Sequence, residues 1–599
     1  MLSCKSLVAH YEDETRKQPL IDHLFQVSEI AMETGSRIGM KNMCSLIGFM
    51  HDIGKSSKQF QDYIKKEYNG NVNHSSAGAI MLGVIEDKVT REYNIGHLLK
   101  VEGLKERVWQ LYKEILQYPI LAHHGLYDII DNNFNYRTGI RLNYSQNYGN
   151  GVTSEILGFF DFANKEYERV NGKSLYHIYY EGFIEFIDIY KRIKVLASES
   201  GVGIYKEGKK HKKRALYFYY GALVRLLLSI LKDADIYNSA NYYREHKDKV
   251  YSQDDLSLIW EDMGCAIEKL YDRFNSNPEK SKLDITRTIL ANRIYEFSKN
   301  HNKGVYKLSM PVGSGKTYAA FRYAISNAKN FKRSRIFYCT AFLSVLEQNA
   351  DSIKQVLGDQ HILEHHSNVV EYFEDYGDNE DQKEYQGSEY IKESWESPVI
   401  LTTIVQLSNT LFKDRSSNIR RFAKLIDSVI IIDEVQSLPS KAIYNFNLMT
   451  NFLVHIMNCN ILHCTATQPN FDNQNTLQYP CLYGDESKES FLIDSIDNPE
   501  VFDRVEYYSL LGEDFNVVLN TKDIIDHIKA QLKHEMSALV VLNTKRAVSN
   551  LYNGLKNDRE IQDWGWEIVY LTTNQCPKHR LEIIQDMKER LAELRKGNH

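Results

Sequence analysis

The sequence predicts a multidomain protein, an all-α domain followed by parallel α/β lobes, and three features predict it. From residue 1 to about 245, apolar positions recur at intervals of three and four with almost no proline, as in Leu24, Val27, Ile30 and Ala31. Leu223, Leu226, Leu227 and Ile230 mark a later helix of the same kind. After about residue 286 the rhythm becomes strand, turn, helix, the pattern of a parallel sheet. Between them, 246–285 is charged and polar and carries the turn signal Asn275-Ser276-Asn277-Pro278, as a helical connection would. The expected division is 1–245, 246–285, 286–499 and 500–599, in keeping with a prior of roughly 150 residues per domain.

Composition narrows the function classes. Hydrophobic residues are 43% and charged residues 25%, which supplies several cores and excludes wholesale disorder. A net charge of -6 excludes a globally basic nucleic-acid coat but not a local basic surface. One such run is Lys209, Lys210, Lys212, Lys213 and Arg214, at the head of the Leu223–Ile230 helix. The eight cysteines include no C-x-x-C pair, which argues against a zinc ribbon, and their sparseness fits a reducing compartment. The N-terminus lacks the basic and apolar segments of a signal peptide, and no apolar run reaches the roughly 18 residues of a membrane span. The expected location is cytoplasmic.

In the second half, the predicted strands are Val305 to Ser309, Arg335 to Cys339, Val399 to Thr403, Val429 to Ile432 and Ile461 to Cys464, with a further apolar strand at Ala538 to Leu542. The stretch 373–386, rich in Asp, Glu, Asn and Gln, reads as an exposed acidic loop. Between the first strand and a helix starting near Tyr318 lies Met310-Pro-Val-Gly-Ser-Gly-Lys-Thr317. Gly313, Ser314 and Gly315 can fold so that backbone N–H groups point at phosphate oxygens, and the helix N-terminus adds positive potential. Lys316 can reach the β- and γ-phosphates and Thr317 can ligate Mg²⁺, so this is the expected ATP-binding loop. Met310 replaces the first glycine of the full pattern. Asp433 and Glu434, at the end of the β-branched run from Val429, complete the pair: Asp433 to hold Mg²⁺, Glu434 to orient and activate the attacking water.

These residues resemble superfamily-two helicases, and further segments follow in that family's order. Phe337 to Ala350, with Thr340 and Gln348, is similar to its first strand-gripping motif; Thr402-Thr403-Ile-Val-Gln-Leu407 to the next; Thr465-Ala-Thr467 to the one that couples hydrolysis to strand movement. The resemblance implies RecA-like lobes and nucleic-acid contacts from Thr340, Gln348, Thr402, Thr403, Thr465 and Thr467.

The N-terminal region concentrates other chemistry. His51-Asp52, followed by Gly54 and Lys55, stands at a helix-end signal, among His23, His74, the pair His123-His124, and Asp235. Imidazoles with carboxylates suit Mn, Fe, Ni or Co, and an Asp can bridge two such metals in a site that hydrolyses phosphodiesters. The order His…His-Asp…Asp resembles the HD phosphohydrolases. With His74 and His123-His124-Gly-Leu-Tyr-Asp128 it resembles the type I CRISPR-associated helicase–nucleases, the Cas-three family, whose architecture joins an HD nuclease to a superfamily-two helicase. Leu363 to Asn368 and Leu542 to Ala547 are similar to helicase segments of that family.

That resemblance implies one metal on His23, His51, Asp52 and Asp235, and a second sharing Asp52 with His74, His123 and His124. It implies Lys55 beside the scissile phosphate, and Asp235 rather than Asp233 as ligand. It implies two transition metals, ATP and Mg²⁺ as cofactors, single-stranded DNA as substrate, and a Cascade-like RNA-guided surveillance complex as partner in antiviral interference. His97, His177 and His211 have no place in the pattern and are expected at the surface or in packing. The family's later motifs, with the arginine finger, do not occur before His599, which implies an incomplete second lobe. Two other readings compete: a nucleotide phosphohydrolase fused to a helicase-like ATPase, and a non-catalytic recruitment module.

Overall fold

A computed structural model of the chain describes residues 4–595 apart from 14, 69–71, 73, 126–151, 202–207, 244–250, 367–393, 485–488, 494, 498, 504, 510–517 and 535. The acidic stretch 373–386, residues 246–250 of the expected 246–285 connection, and Leu126 to Asp128 lie outside these. The chain forms two compact units, Met1–Asp503 and Arg504–His599.

The first unit opens on a short antiparallel hairpin, β1 (Val8–Tyr11) and β2 (Lys17–Pro19), which the sequence did not suggest. Helices then follow: α1 (Leu20–Ser36), α2 (Lys41–Met50), α3 (Lys58–Ile64), α4 (Ser75–Glu92), α5 (Ile95–Val101), α6 (Arg107–Ala122), α7 (Ser154–Asn171), α8 (Leu175–Ser200) and α9 (Gly208–Tyr243). In α1 the buried stripe Leu20, Leu24, Val27 and Ala31 has helical spacing, and His23 lies on it, so this histidine is carried into the core by the residues that fold the helix. Every residue of α2 from Met43 to Met50 is buried, and the helix delivers His51 at its C-terminal end. Two glycines allow α4 to close on that end. A Cβ at Gly54 would lie 2.1 Å from the His74 carbonyl oxygen, and one at Gly78 2.0 Å from that of Met50.

Helix α9 has the length and apolarity of a membrane span, but Leu223, Leu226, Leu227, Ile230 and Leu231 are at most 1% exposed inside this unit. It packs on α1, α6 and α8 on one side and on the helicase-like lobe on the other. Two helices, α10 (Gln253–Ser276) and α11 (Lys282–Asn300), each begin with a Ser/Asp capping box and pack on that lobe through Trp260, Met263 and Leu290.

The lobe is a six-stranded parallel sheet in the order β3-β8-β7-β4-β6-β5. The strands are β3 (Gly304–Ser309), β4 (Arg335–Thr340), β5 (Ile362–His365), β6 (Val399–Thr403), β7 (Ser428–Asp433) and β8 (Asn460–Thr465), so the five strands expected here form, with β5 added at the edge. Helices cover both faces, and β7 and β8 are buried along their whole length, which is why they read as unbroken apolar runs. The helices used below are α12 (Lys316–Phe331), α13 (Leu343–Leu357), α14 (Ile404–Phe412), α15 (Ser416–Phe422) and α16 (Ile443–His455).

In the second unit, α17 (Thr521–Leu532) and α18 (Lys545–Lys556) pack through Ile525, Ile528 and Leu551, followed by α19 (Arg559–Asp563) and α20 (Pro577–Arg595). The predicted strand Ala538 to Leu542 does not form. A strand needs a ladder partner, and among the described residues this segment has none; Leu539 and Val541 are each 82% exposed.

Substituting Gly78→Ala should cost about 1–3 kcal/mol, because the methyl must displace backbone between α2 and α4. Gly83→Ala, on the same helix with nothing within 4 Å of its Cβ, should be neutral or stabilising by up to about 1 kcal/mol. Thermal melts of the two variants against the parent check the contrast.

Candidate metal centre and nucleotide site

The N-terminal ligand candidates converge on Asp52, which is 1% exposed. Its Oδ2 faces one set: His51 Nε2 at 3.2 Å and His23 Nε2 at 3.4 Å, with Asp235 Oδ1 3.5 Å from both imidazoles. Its Oδ1 faces another: His74 Nε2 at 3.3 Å and His123 Nε2 at 3.4 Å, with His124 Nε2 2.7 Å from His74 Nε2. The ligand atoms of each set lie within 4.8 Å of one another. Nitrogen and oxygen donors bound about 2.1 Å from a common centre keep such separations. The division His23, His51, Asp52, Asp235 and Asp52, His74, His123, His124 is the one expected from the sequence.

The outer contacts orient the rings for ligation. His51 Nδ1 lies 2.7 Å from the Gly48 carbonyl and His123 Nδ1 2.6 Å from that of Ile120, so each donates there and turns the Nε2 lone pair toward Asp52. His23 Nδ1 meets Asn238 Oδ1 at 2.8 Å, and Gln18 and Gln26 hold that amide at 3.0 Å and 2.6 Å. Asn238, Gln18 and Gln26 were not singled out from sequence, nor was His10, whose ring meets that of His23 edge-on at 5.3 Å while its Nε2 contacts Ser239 Oγ at 3.1 Å. The i, i+3 spacing of Asp235 and Asn238 on an apolar helix was the available signal.

These residues fit a pair of metal ions. Asp52 Oδ1 and His123 Nε2 are buried without a hydrogen-bond partner, and two acceptors facing each other at 3.4 Å call for a cation between them. Burial opposes charge on His51, but the Asp52 and Asp235 carboxylates outweigh it and its pKa is pushed up to about 10. Burial likewise opposes charge on Asp52, yet His51 and Lys55 hold its carboxyl well below the usual range. Lys55 Nζ bonds Asp52 Oδ2 at 2.8 Å. Asp233 turns away, to Arg420 at 3.1 Å and Lys424 at 2.6 Å, as two residues' separation on a helix requires. His211 and His177 serve packing, against Tyr479 and Tyr93, and His97 is exposed.

The nucleotide site is equally compact. Gly313 and Gly315 have φ of 81° and 82°, and α12 starts at Lys316, two residues before the expected position. Ser314 is buried and its hydroxyl donates to the Pro311 carbonyl at 2.6 Å, holding the turn; Thr317 sits in the first turn of α12. Met310 has no positive φ, is 1% exposed in the lobe core, and donates its N–H to the Thr465 carbonyl at 3.3 Å. Lys316 Nζ reaches Glu434 Oε1 at 3.0 Å and Asp433 Oδ1 at 3.2 Å. Burial lowers the ammonium's affinity for its proton, but Asp433 and Glu434 more than restore it. Glu434 takes a left-handed φ of 56°, pinned by its N–H to the Cys464 carbonyl at 2.9 Å. The Tyr338 hydroxyl donates to Asp433 Oδ2 at 2.7 Å and accepts from Asn349 at 2.7 Å, a support not foreseen.

Three expected nucleic-acid contacts are corrected. Thr340, Thr402 and Thr465 are 0% exposed. Parallel strands bury their own ends under neighbouring loops, and the Thr402 hydroxyl donates to the His365 carbonyl at 2.7 Å while that of Thr465 accepts from Thr467 N–H at 3.1 Å. Gln348 and Thr467 do stand exposed, and Thr403 is half-buried, capping α14 at its Gln406 N–H.

Comparison with known proteins matches residues 20–130 to the HD domain and residues 277–470 to the family described as type III restriction enzyme, res subunit. A Methanocaldococcus jannaschii protein assigned by name to the CRISPR-associated nuclease/helicases Cas3 is 22% identical over 539 residues, covering 85% of this chain and 64% of that protein. This chain is similar in sequence to the Cas3 nuclease/helicases. The Cas3 nuclease/helicase of Haloferax volcanii is 26% identical over 182 residues, 27% of this chain and 19% of that protein. The crystal structure of T. fusca Cas3-AMPPNP shares the fold, with a TM-score of 0.51 at 14% identity, across 97% of this chain and 66% of that one. This chain thus spans less than two thirds of the M. jannaschii protein's length.

Asp52→Ala should remove both bound metals and His124→Ala one, as read by metal analysis of protein dialysed against Mn²⁺. Two metals retained by Asp52→Ala would overturn the bridging assignment.

Proposed function

We propose that this chain is a metal-dependent nuclease for single-stranded DNA, coupled to an ATP-driven motor and recruited by an RNA-guided surveillance complex in type I CRISPR interference. The observation that carries the reading is the double ligand set sharing Asp52. A single-metal phosphohydrolase needs only the His23, His51, Asp52, Asp235 set, so the second set favours a phosphodiesterase over a nucleotide hydrolase.

Two metals at these sets would supply an activated water on one side of the phosphate and charge neutralisation of the leaving oxygen on the other. The chain's own residues do the rest. Gly48, Ile120 and Asn238 fix the imidazole tautomers, so the ligating nitrogens are ready without reorganisation. Lys55, hydrogen-bonded to Asp52, would donate to a non-bridging phosphate oxygen. In the motor, backbone N–H groups of 313–317 and Lys316 would hold the phosphates of ATP, Asp433 would hold Mg²⁺, and Glu434 would orient the attacking water. Lys316 lies within one hydrogen-bond length of both acids, so phosphate and metal are received side by side. Gln348, Thr403 and Thr467 are the surface candidates for the DNA backbone.

The test is a Mn²⁺-supported cleavage assay on single-stranded DNA. His51→Ala should abolish cleavage and leave ATP binding intact, whereas Lys316→Ala should weaken ATP binding and leave cleavage intact. Release of phosphate from free nucleotides at the HD site, without DNA cleavage, would establish the phosphohydrolase reading instead.

A further inference from the structure

The run Lys209, Lys210, Lys212, Lys213 and Arg214 takes no part in either site, yet it occupies the first two turns of α9. Cations there oppose the helix macrodipole, which is positive at that end, so folding alone gives no reason for the cluster. Burial divides it. His211 is 6% exposed and packs on Tyr479, anchoring the turn to the lobe, while Lys209, Lys210, Lys213 and Arg214 are exposed. Lys212 Nζ crosses to Ser198 Oγ at 3.1 Å, tying the start of α9 to the end of α8.

Aromatic rings continue the basic surface. Lys213 Nζ lies 5.7 Å from the Tyr217 ring, which is 57% exposed. Tyr220, one turn on, stacks with Tyr190 of α8 at 6.4 Å and an interplanar angle of 12°. Lys194 Nζ sits 5.5 Å over the Tyr190 ring. Residues 213, 217 and 220 share one helical face, and 190 and 194 share the facing one. The result is a strip of alternating ammonium groups and ring faces running across the α8/α9 pair. Glu199 is the exposed acid beside Ser198.

From this strip we infer that the α8/α9 face binds single-stranded nucleic acid: lysines along the phosphates, tyrosine faces under the bases. Cations beside the exposed Tyr217 ring, with the half-buried Tyr190 and Tyr220 next to it, match a strand with unpaired bases better than a duplex, whose bases are stacked inside, or an acidic protein, which offers nothing to stack. Lys213 lies 22 residues before Asp235 on α9, about 33 Å along the helix axis, so the strip is a separate anchor on the element that carries a metal-ligand candidate. The inference rests on the single-stranded DNA reading above for its choice of ligand.

The experiment uses the full chain in EDTA with fluorescent oligothymidylate, titrated at several salt concentrations. The variant Lys194→Gln/Lys209→Gln/Lys210→Gln/Lys213→Gln should weaken binding at least tenfold and flatten the slope of log affinity against log salt by about 0.7 for each phosphate no longer neutralised. Tyr217→Ala should weaken oligothymidylate binding about fivefold or more and leave duplex binding unchanged. An unaltered salt slope in the lysine variant overturns the strip. So does equal competition by polyglutamate, which would assign the face to an acidic protein. Hydrolysis of bis(p-nitrophenyl) phosphate with Mn²⁺ reports the metal centre by itself and should be the same in all variants. Its absence from the parent protein would defeat the nuclease reading, while the salt slope would still decide the strip.

Discussion

One buried carboxylate organises the N-terminal half of the molecule. Asp52 has almost no contact with solvent, and its two oxygens face different sets of imidazoles. A charge in that position is tolerable only if cations or donors meet both oxygens. Lys55 meets one oxygen, and around the pair gather His23 of α1, His123 at the end of α6 and His74 at the start of α4, with Asp235 of α9 facing the His23 and His51 imidazoles. The approach of α4 is possible because Gly54 and Gly78 present no side chain to the backbone of their neighbours. The elements that pack the helical domain are therefore the same ones that carry the ligand sets.

The nucleotide site obeys a related constraint in a different framework. Asp433 and Glu434 emerge from the buried end of β7, and Lys316 emerges from the loop after β3, two strands away in the sheet order. The sheet sets their separation. The left-handed backbone at Glu434 and the Tyr338–Asp433 hydrogen bond fix the direction of each acid.

Much of this was legible in the sequence because the chemistry demanded rare local patterns. An adjacent His-Asp, a His-His pair and a Gly-Ser-Gly-Lys-Thr loop each carry their meaning within a few residues. Met310 departs from the usual loop pattern without consequence, because only Gly313 and Gly315 need a positive φ. What sequence could not supply was orientation. Asn238, Gln18 and Gln26 act by holding the ring of His23, and nothing local marks them for it. Thr340, Thr402 and Thr465 were assigned to nucleic acid from their order in helicase-like segments, but here they are buried. The apolar run 538–542 has strand composition and no strand beside it, which no local pattern could reveal.

Helix α9 belongs to both halves of the first unit at once. On one side it carries Asp235 into the metal-ligand cluster. On the other, the Ser229 hydroxyl accepts from Ala423 N–H at 2.7 Å and donates to the Arg420 carbonyl at 3.1 Å, and Asp233 binds Arg420 and Lys424. An excised N-terminal fragment ending at Tyr243 would keep every ligand candidate, yet turn the Ser229 hydroxyl and the Asp233 carboxylate out into water. In evolutionary terms the seam is not a cut-and-paste joint. Joining the helical domain to a different lobe would need a new cover for this helix.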